Sequence, residues 1–133
     1  MEKKFLGRDA VLTKQDVPER DVYVPEWDGW VKVRGLTAKQ RDEFEKSIMV
    51  GKGRSREVNV LNLRAKLAAR TVVGEDGQPL FAEADVPALS EKSASAIERI
   101  VDVALELSGM TEADQEELLK NSGSGQPDGL LSA

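Results

Sequence analysis

Within thirty residues, from Asp21 to Val50, the hydrophobic period of this chain changes from two to that of a helix. Val22 and Val24 alternate with polar residues before a Pro25-Glu26-Trp27-Asp28-Gly29 break, and Val31 and Val33 resume the alternation after it. Period-two runs joined across an Asp-Gly pair predict a hairpin of half-buried strands. After Gly35, Thr37 is placed to cap a helix and Gln40, three residues on, to complete a capping box. Phe44, Ile48 and Met49 then follow at helical spacing. The stretch predicts a hairpin, a tight turn and an amphipathic helix. With both tryptophans and one of three phenylalanines, it is also where the core is expected to be densest.

Length and composition bound what can surround this unit. A chain of 133 residues suits one domain. At 40% hydrophobic and only 5% aromatic residues, its core should be aliphatic. No cysteine is present, so disulfides, thiolate metal sites and cysteine catalysis are excluded; no histidine is present either, which removes the commonest general base. The N-terminus lacks the apolar stretch of a secretory signal, and no run approaches the roughly 18 apolar residues of a membrane span. A soluble intracellular protein with no membrane partner is the expectation.

The net charge of −5 conceals a gradient. Residues 1–70 hold 16 basic and 11 acidic residues, whereas residues 71–133 hold 3 and 13. Such asymmetry fits a polyanion-binding end or self-complementation of the two halves, and the low density of basic residues favours the second. The basic Gly51–Arg56 loop departs from a phosphate-binding loop in glycine spacing and lacks a hydroxyl after Lys52. Lys52, Arg54, Arg56 and Arg64 are what a nucleic acid would engage, but no nucleic-acid partner is expected. Glu75, Asp76, Glu83 and Asp85 are close in sequence but lack calcium-loop spacing, so Asp76-Gly77 reads as a turn and Asp85 as a cap. No metal, cofactor or catalytic residue is assigned, and no enzyme is expected.

The remaining pattern is helical. Val58–Val73 predicts one helix with Leu61, Ala65, Ala68 and Val72 in a row and Val60, Leu63 and Leu67 beside them. Phe81, Val86 and Leu89 predict a short helical plug. A long helix opens at Ser90 or Ser93 and runs to about Ser108, with Ile97, Ile100, Val101, Ala104, Leu105 and Leu107 as its stripe and Gly109 just past its end. Thr111 caps a last short helix to about Lys120. The fold class expected is α+β, mostly α: an N-terminal β-hairpin followed by about four helices in a small bundle. Residues 1–19 read as a flexible arm with one helical turn near Asp9–Lys14, 20–120 as a single globular domain, and 121–133 as a disordered Gly/Ser-rich tail.

The order of these parts resembles the tail assembly chaperones of long-tailed (siphovirus-type) bacteriophages. The resemblance covers roughly residues 15–121 and is carried by VYVPEWDGWVKVRGLTAKQRDEFE, by Asp-Gly-Gln-Pro-Leu-Phe, by Leu-Ser-Glu-Lys-Ser and by Leu-Ser-Gly-Met-Thr-Glu-Ala-Asp. It implies a non-enzymatic protein of the host cytoplasm, absent from the mature virion. Its implied client is the phage tape measure protein, kept soluble while the tail tube assembles. The tail tube protein and a frameshifted longer form of the chain are further implied partners, since Lys120-Asn121 can be encoded by a slippery A-rich run. A structural phage component, such as a minor tail or head–tail connector protein, or a non-phage adaptor is the alternative. The family has no site motif to transfer; Leu105, Leu118 and Leu119 are the candidate partner-binding residues, on the last two helices. No motif sets an oligomeric state.

Overall fold

The computed structural model describes residues 2–51, 53–55, 57–59 and 61–110. After an exposed arm carrying α1 (Arg8–Thr13), strands β1 (Glu19–Val24) and β2 (Gly29–Arg34) form the expected hairpin. A 3₁₀ turn at Pro25–Trp27 joins them, and Asp28, in the left-handed region at φ 49°, closes it. Their antiparallel register pairs Val22 with Val31 and Tyr23 with Trp30. Because side chains alternate between faces, Val22, Val24 and Val33 point inward and are buried, while Tyr23 and Trp30 stand on the other face.

Helix α2 (Ala38–Ser47) starts as the sequence predicts. Thr37 Oγ1 accepts from the Gln40 amide at 3.1 Å, and the Gln40 side chain accepts from the Thr37 amide at 3.0 Å. It ends earlier than the apolar spacing suggested. Ile48 is a buried C-cap, and Met49 belongs to β3 (Met49–Val50), paired with β4 (Glu57–Val58). Gly51 and Gly53, both at positive φ, turn the chain between these strands.

The predicted Val58–Val73 helix is the main correction. Only α3 (Leu63–Thr71) is helical; Leu61 is exposed, and Asn62, at φ 61°, breaks the path before the first turn. Val60 lies outside the described residues. At the other end, Val72–Val73 form β5, which adds to the hairpin beside Val33 and Lys32 in a sheet of order β1-β2-β5. Two valines fit a helix end by pattern, but as a strand they satisfy backbone groups at the β2 edge and bury both side chains.

Phe81, half-buried, precedes α4 (Val86–Ser90), whose Val86 and Leu89 are buried as expected. Helix α5 (Ala94–Leu107) opens at Ser93, whose Oγ accepts from the Ala96 amide at 3.3 Å. Ile97, Ile100, Val101 and Ala104 are buried against α3 and the inner faces of β1 and β2. The architecture is α+β and mostly helical, with α5 on the inner face of the β1–β2 hairpin, α3 against α5 and α4 against α3. Ile100, Val24, Val33 and Phe44 are essentially inaccessible. Burying each such side chain contributes about 1.5–3 kcal/mol.

The far end of α5 is fixed by two glycines. Gly109, at φ 72°, carries a Schellman ending in which its amide donates to the Glu106 carbonyl at 3.1 Å and the Met110 amide to the Leu105 carbonyl at 3.0 Å. Met110 is thereby buried. Gly35 meets the same end from the sheet: a methyl group there would lie 2.8 Å from the Leu107 carbonyl carbon and closer still to its oxygen. Backbone atoms at a packed helix end cannot step aside cheaply. Gly35→Ala is therefore expected to cost about 1–3 kcal/mol in urea unfolding, whereas Gly7→Ala, with open space around it, should change stability by less than about 0.5 kcal/mol. Equal effects at the two positions would remove Gly35 from this role.

Candidate partner-binding surface

Of the three candidate leucines, Leu105 is half-buried on α5 and packs against the core. Its carbonyl is the acceptor that closes the helix end. Leu118 and Leu119, with the predicted last helix and the 121–133 tail, lie outside the described residues.

Besides the scattered Val50, Leu61 and Leu80, the exposed large apolar residues among those described gather in two places. On the outer sheet face Trp30 is 68% exposed and lies against Tyr23, ring centroids 5.3 Å apart and tilted by 56°. This corrects the expectation that both tryptophans serve the core; Trp27 is half-buried against it, but Trp30 is not. The signal was available. Trp30 and Tyr23 fall out of phase with the inward valines, so alternation alone sends them outward. Below the pair, Lys32 meets Asp21 at 2.9 Å and Arg34 pairs with Glu19, in register across the strands. The second place is the arm, where Phe5 is 88% and Leu12 66% exposed, with Leu6 and Val11 also open.

Ion pairs tie α5 to the hairpin at both ends. Near its start, Glu26 accepts from Arg99 Nε at 2.9 Å and from Ser95 Oγ at 2.7 Å. The Arg99 and Ser95 hydrogen bonds hold the Glu26 carboxyl down to about 2. Near its end, Arg20 reaches Glu106 at 2.9 Å, and that bond likewise lowers the Glu106 carboxyl. Asp102 is raised instead, first by partial burial and then by the neighbouring Glu98. Arg64 is engaged with Glu98 at 2.8 Å, while Arg54 is exposed and Lys52 and Arg56 lie outside the described residues.

The acidic turn acts as the sequence suggested. Asp76 Oδ1 accepts from the Gln78 amide at 3.0 Å, Gly77 takes φ 80°, and Asp85 caps the short turn at Ala82. Among the described residues no three acidic side chains converge to hold a metal ion, and no helix is long and apolar enough to cross a membrane. A half-open concavity of about 230 Å³ lies between the start of α3 and α4–α5, lined in part by Asn62, Arg64, Lys92 and Ile97. Its volume is below the roughly 300 Å³ at which small-molecule sites begin.

These features define a small α+β protein whose described surface offers contact chemistry: exposed aromatic and aliphatic groups among paired charges. The chain belongs to the phage tail assembly chaperone family, whose model matches residues 8–121. A solved structure, that of the bacteriophage HK97 tail assembly chaperone, shares the fold with a TM-score of 0.53 and 18% identity, over 74% of this chain and 90% of that one. Comparison with curated proteins finds no match.

Glu26 sets a pH dependence with a definite sign. Its folded-state value is depressed, so its contribution is complete above the ordinary value of 4.5 and is lost as pH falls towards about 2. Unfolding midpoints of the natural protein should fall across that window, and those of Glu26→Gln should fall less. Parallel curves for the two proteins would place the acid sensitivity elsewhere. Asp102 has the opposite sign: charging it works against the fold, so Asp102→Asn should be no less stable than the natural protein at pH 7.

Proposed function

We propose that this chaperone binds the tape measure protein of its phage and keeps it soluble while the tail tube assembles around it. It acts in the cytoplasm of the bacterial host and is left out of the finished virion. Membership of the tail assembly chaperone family across residues 8–121 is the observation that carries this reading. The physical character of the chain supports it. A client rich in amphipathic helix needs apolar contact on a carrier that stays soluble, and here apolar groups are displayed on a chain of net charge −5. The tail tube protein and a frameshifted longer form of the chain are the further partners proposed.

The contact surface proposed for the client is the end of α5 and the segment after it, with Leu105, Leu118 and Leu119 as apolar contacts. Gly109 turns the chain there and Met110 is buried, so the end of α5 is a fixed point of the fold. Co-expression with the tape measure protein tests the function: soluble, co-purifying client is expected, and client that stays insoluble and unbound contradicts it. Leu118→Ser with Leu119→Ser should weaken co-purification at least about tenfold if two buried contacts are lost. Point variants serve better than truncation after Gly109, which would delete the Met110 anchor as well. Undiminished capture by the double variant would move the client surface elsewhere.

A further inference from the structure

Strand β1 lies at the edge of its sheet, and its register fixes what that edge offers. The Gly35 amide donates to the Pro18 carbonyl at 3.0 Å, one step beyond the Glu19–Arg34 pair. Bonded and non-bonded pairs alternate along an antiparallel ladder. Arg20, Val22 and Val24 therefore bond to β2, while Glu19, Asp21 and Tyr23 turn their amides and carbonyls away from it. Among the described residues no strand pairs with that side of β1. Pro18 and Pro25 bound the open run. Such an edge is a template for a further strand.

Helix α5 supplies a flank above this edge. It packs on both β1 and β2, with α3 on one side, where Arg64 reaches Glu98. Arg99, Val103 and Glu106 form another row, at the spacing of one helix face. Arg99 bonds to Glu26 and Glu106 to Arg20, so this row lies towards β1. Val103, in its middle, is half-buried. The row is basic at one end and acidic at the other. Turned end for end, it is its own complement.

We propose that the chain forms a twofold dimer in which β1 pairs antiparallel with β1 of a second copy, centred on Val22. In that register Val22 faces Val22, Asp21 faces Tyr23 and Arg20 faces Val24, so no like charges oppose one another across the new ladder. Centring on Asp21 or on Arg20 would set two like charges face to face, and centring on Tyr23 would run Asp21 onto Pro25, which has no amide. With each α5 over the line between its β1 and β2, two strand spacings, about 10 Å, separate the two helices, within the roughly 8–10 Å at which helices pack. Their rows then run antiparallel, Val103 against Val103 and each Arg99 beside the Glu106 of the other copy. Complementarity at both strand and helix selects a second copy over an unrelated strand. The dimer is independent of the client reading, since it uses neither Leu105 nor any residue after 110.

Sedimentation equilibrium of the full chain measures the association. The mass of two chains is expected at micromolar concentration; a single chain throughout, or assemblies that grow beyond two, would overturn the proposal. Asp21→Pro removes an amide that points at the second copy and none that serves β2, and Val103→Lys sets a charge on the twofold axis. Each should weaken the dimer at least about tenfold, and undiminished association of both variants would overturn the pairing. Amide exchange on the natural protein reads the same edge without a substitution, should either variant fail to fold. As the dimer forms, the Asp21 and Tyr23 amides should slow at least about tenfold, becoming protected as those of Arg20 and Val22 are. Fast exchange at Asp21 and Tyr23 in a two-chain species would put the contact on another face and overturn the proposal.

Discussion

The packing of α5 on the inner face of the β1–β2 hairpin is the contact on which the rest of the structure depends. It is an apolar contact with fixed ends. Ile97, Ile100, Val101 and Ala104 fill the interface, and Gly35, lacking a side chain, lets the sheet end settle on the last carbonyls of the helix. Exposed ion pairs contribute little by themselves. Glu26–Arg99 and Arg20–Glu106 instead set register, one near each end, so the helix can neither slide nor swing without breaking a pair. The other elements attach to this unit: α3 lies beside α5, β5 extends the sheet, and α4 plugs the gap against α3.

Elements coded by local chemistry were legible in the sequence. Alternation around Pro25–Gly29 gave the hairpin, Thr37 and Gln40 the start of α2, and Gly109 the end of α5, whose start was narrowed to Ser90 or Ser93; each depends on neighbours within a few residues. What was not legible depends on partners distant in the chain. Val72–Val73 match a helix by pattern and become a strand because β2 offers an edge, forty residues away in sequence. Leu61 is apolar yet exposed, since Asn62 takes a left-handed conformation that periodicity does not register. Trp30 was read by residue type as core although its phase in the strand sent it outward. The general preference of tryptophan for burial does not override the period of two.

The functional surface was less legible than the fold, for a physical reason. Catalytic and metal sites need particular residue types at particular spacings. A protein that works by apolar contact needs only exposed hydrophobic area on a soluble body. The family was recognisable from the order of its parts, and the match across residues 8–121 bears the family out. Of the candidate contact residues, Leu105 is half-buried against the core and its carbonyl closes the helix end, while the contact between Tyr23 and Trp30 emerged only with the structure.

Amide hydrogen exchange, residue by residue on the full chain, reads the dependence on α5 most directly. Amides buried in the most cooperative unit open only with the whole molecule. The slowest should be those of Ile100–Ala104 together with their neighbours in β1 and β2, all opening at one common free energy, while β3–β4 exchanges faster through local openings. If α5 exchanged faster than the strands it covers, or opened independently of them, the helix would be an attachment to the fold and not its centre.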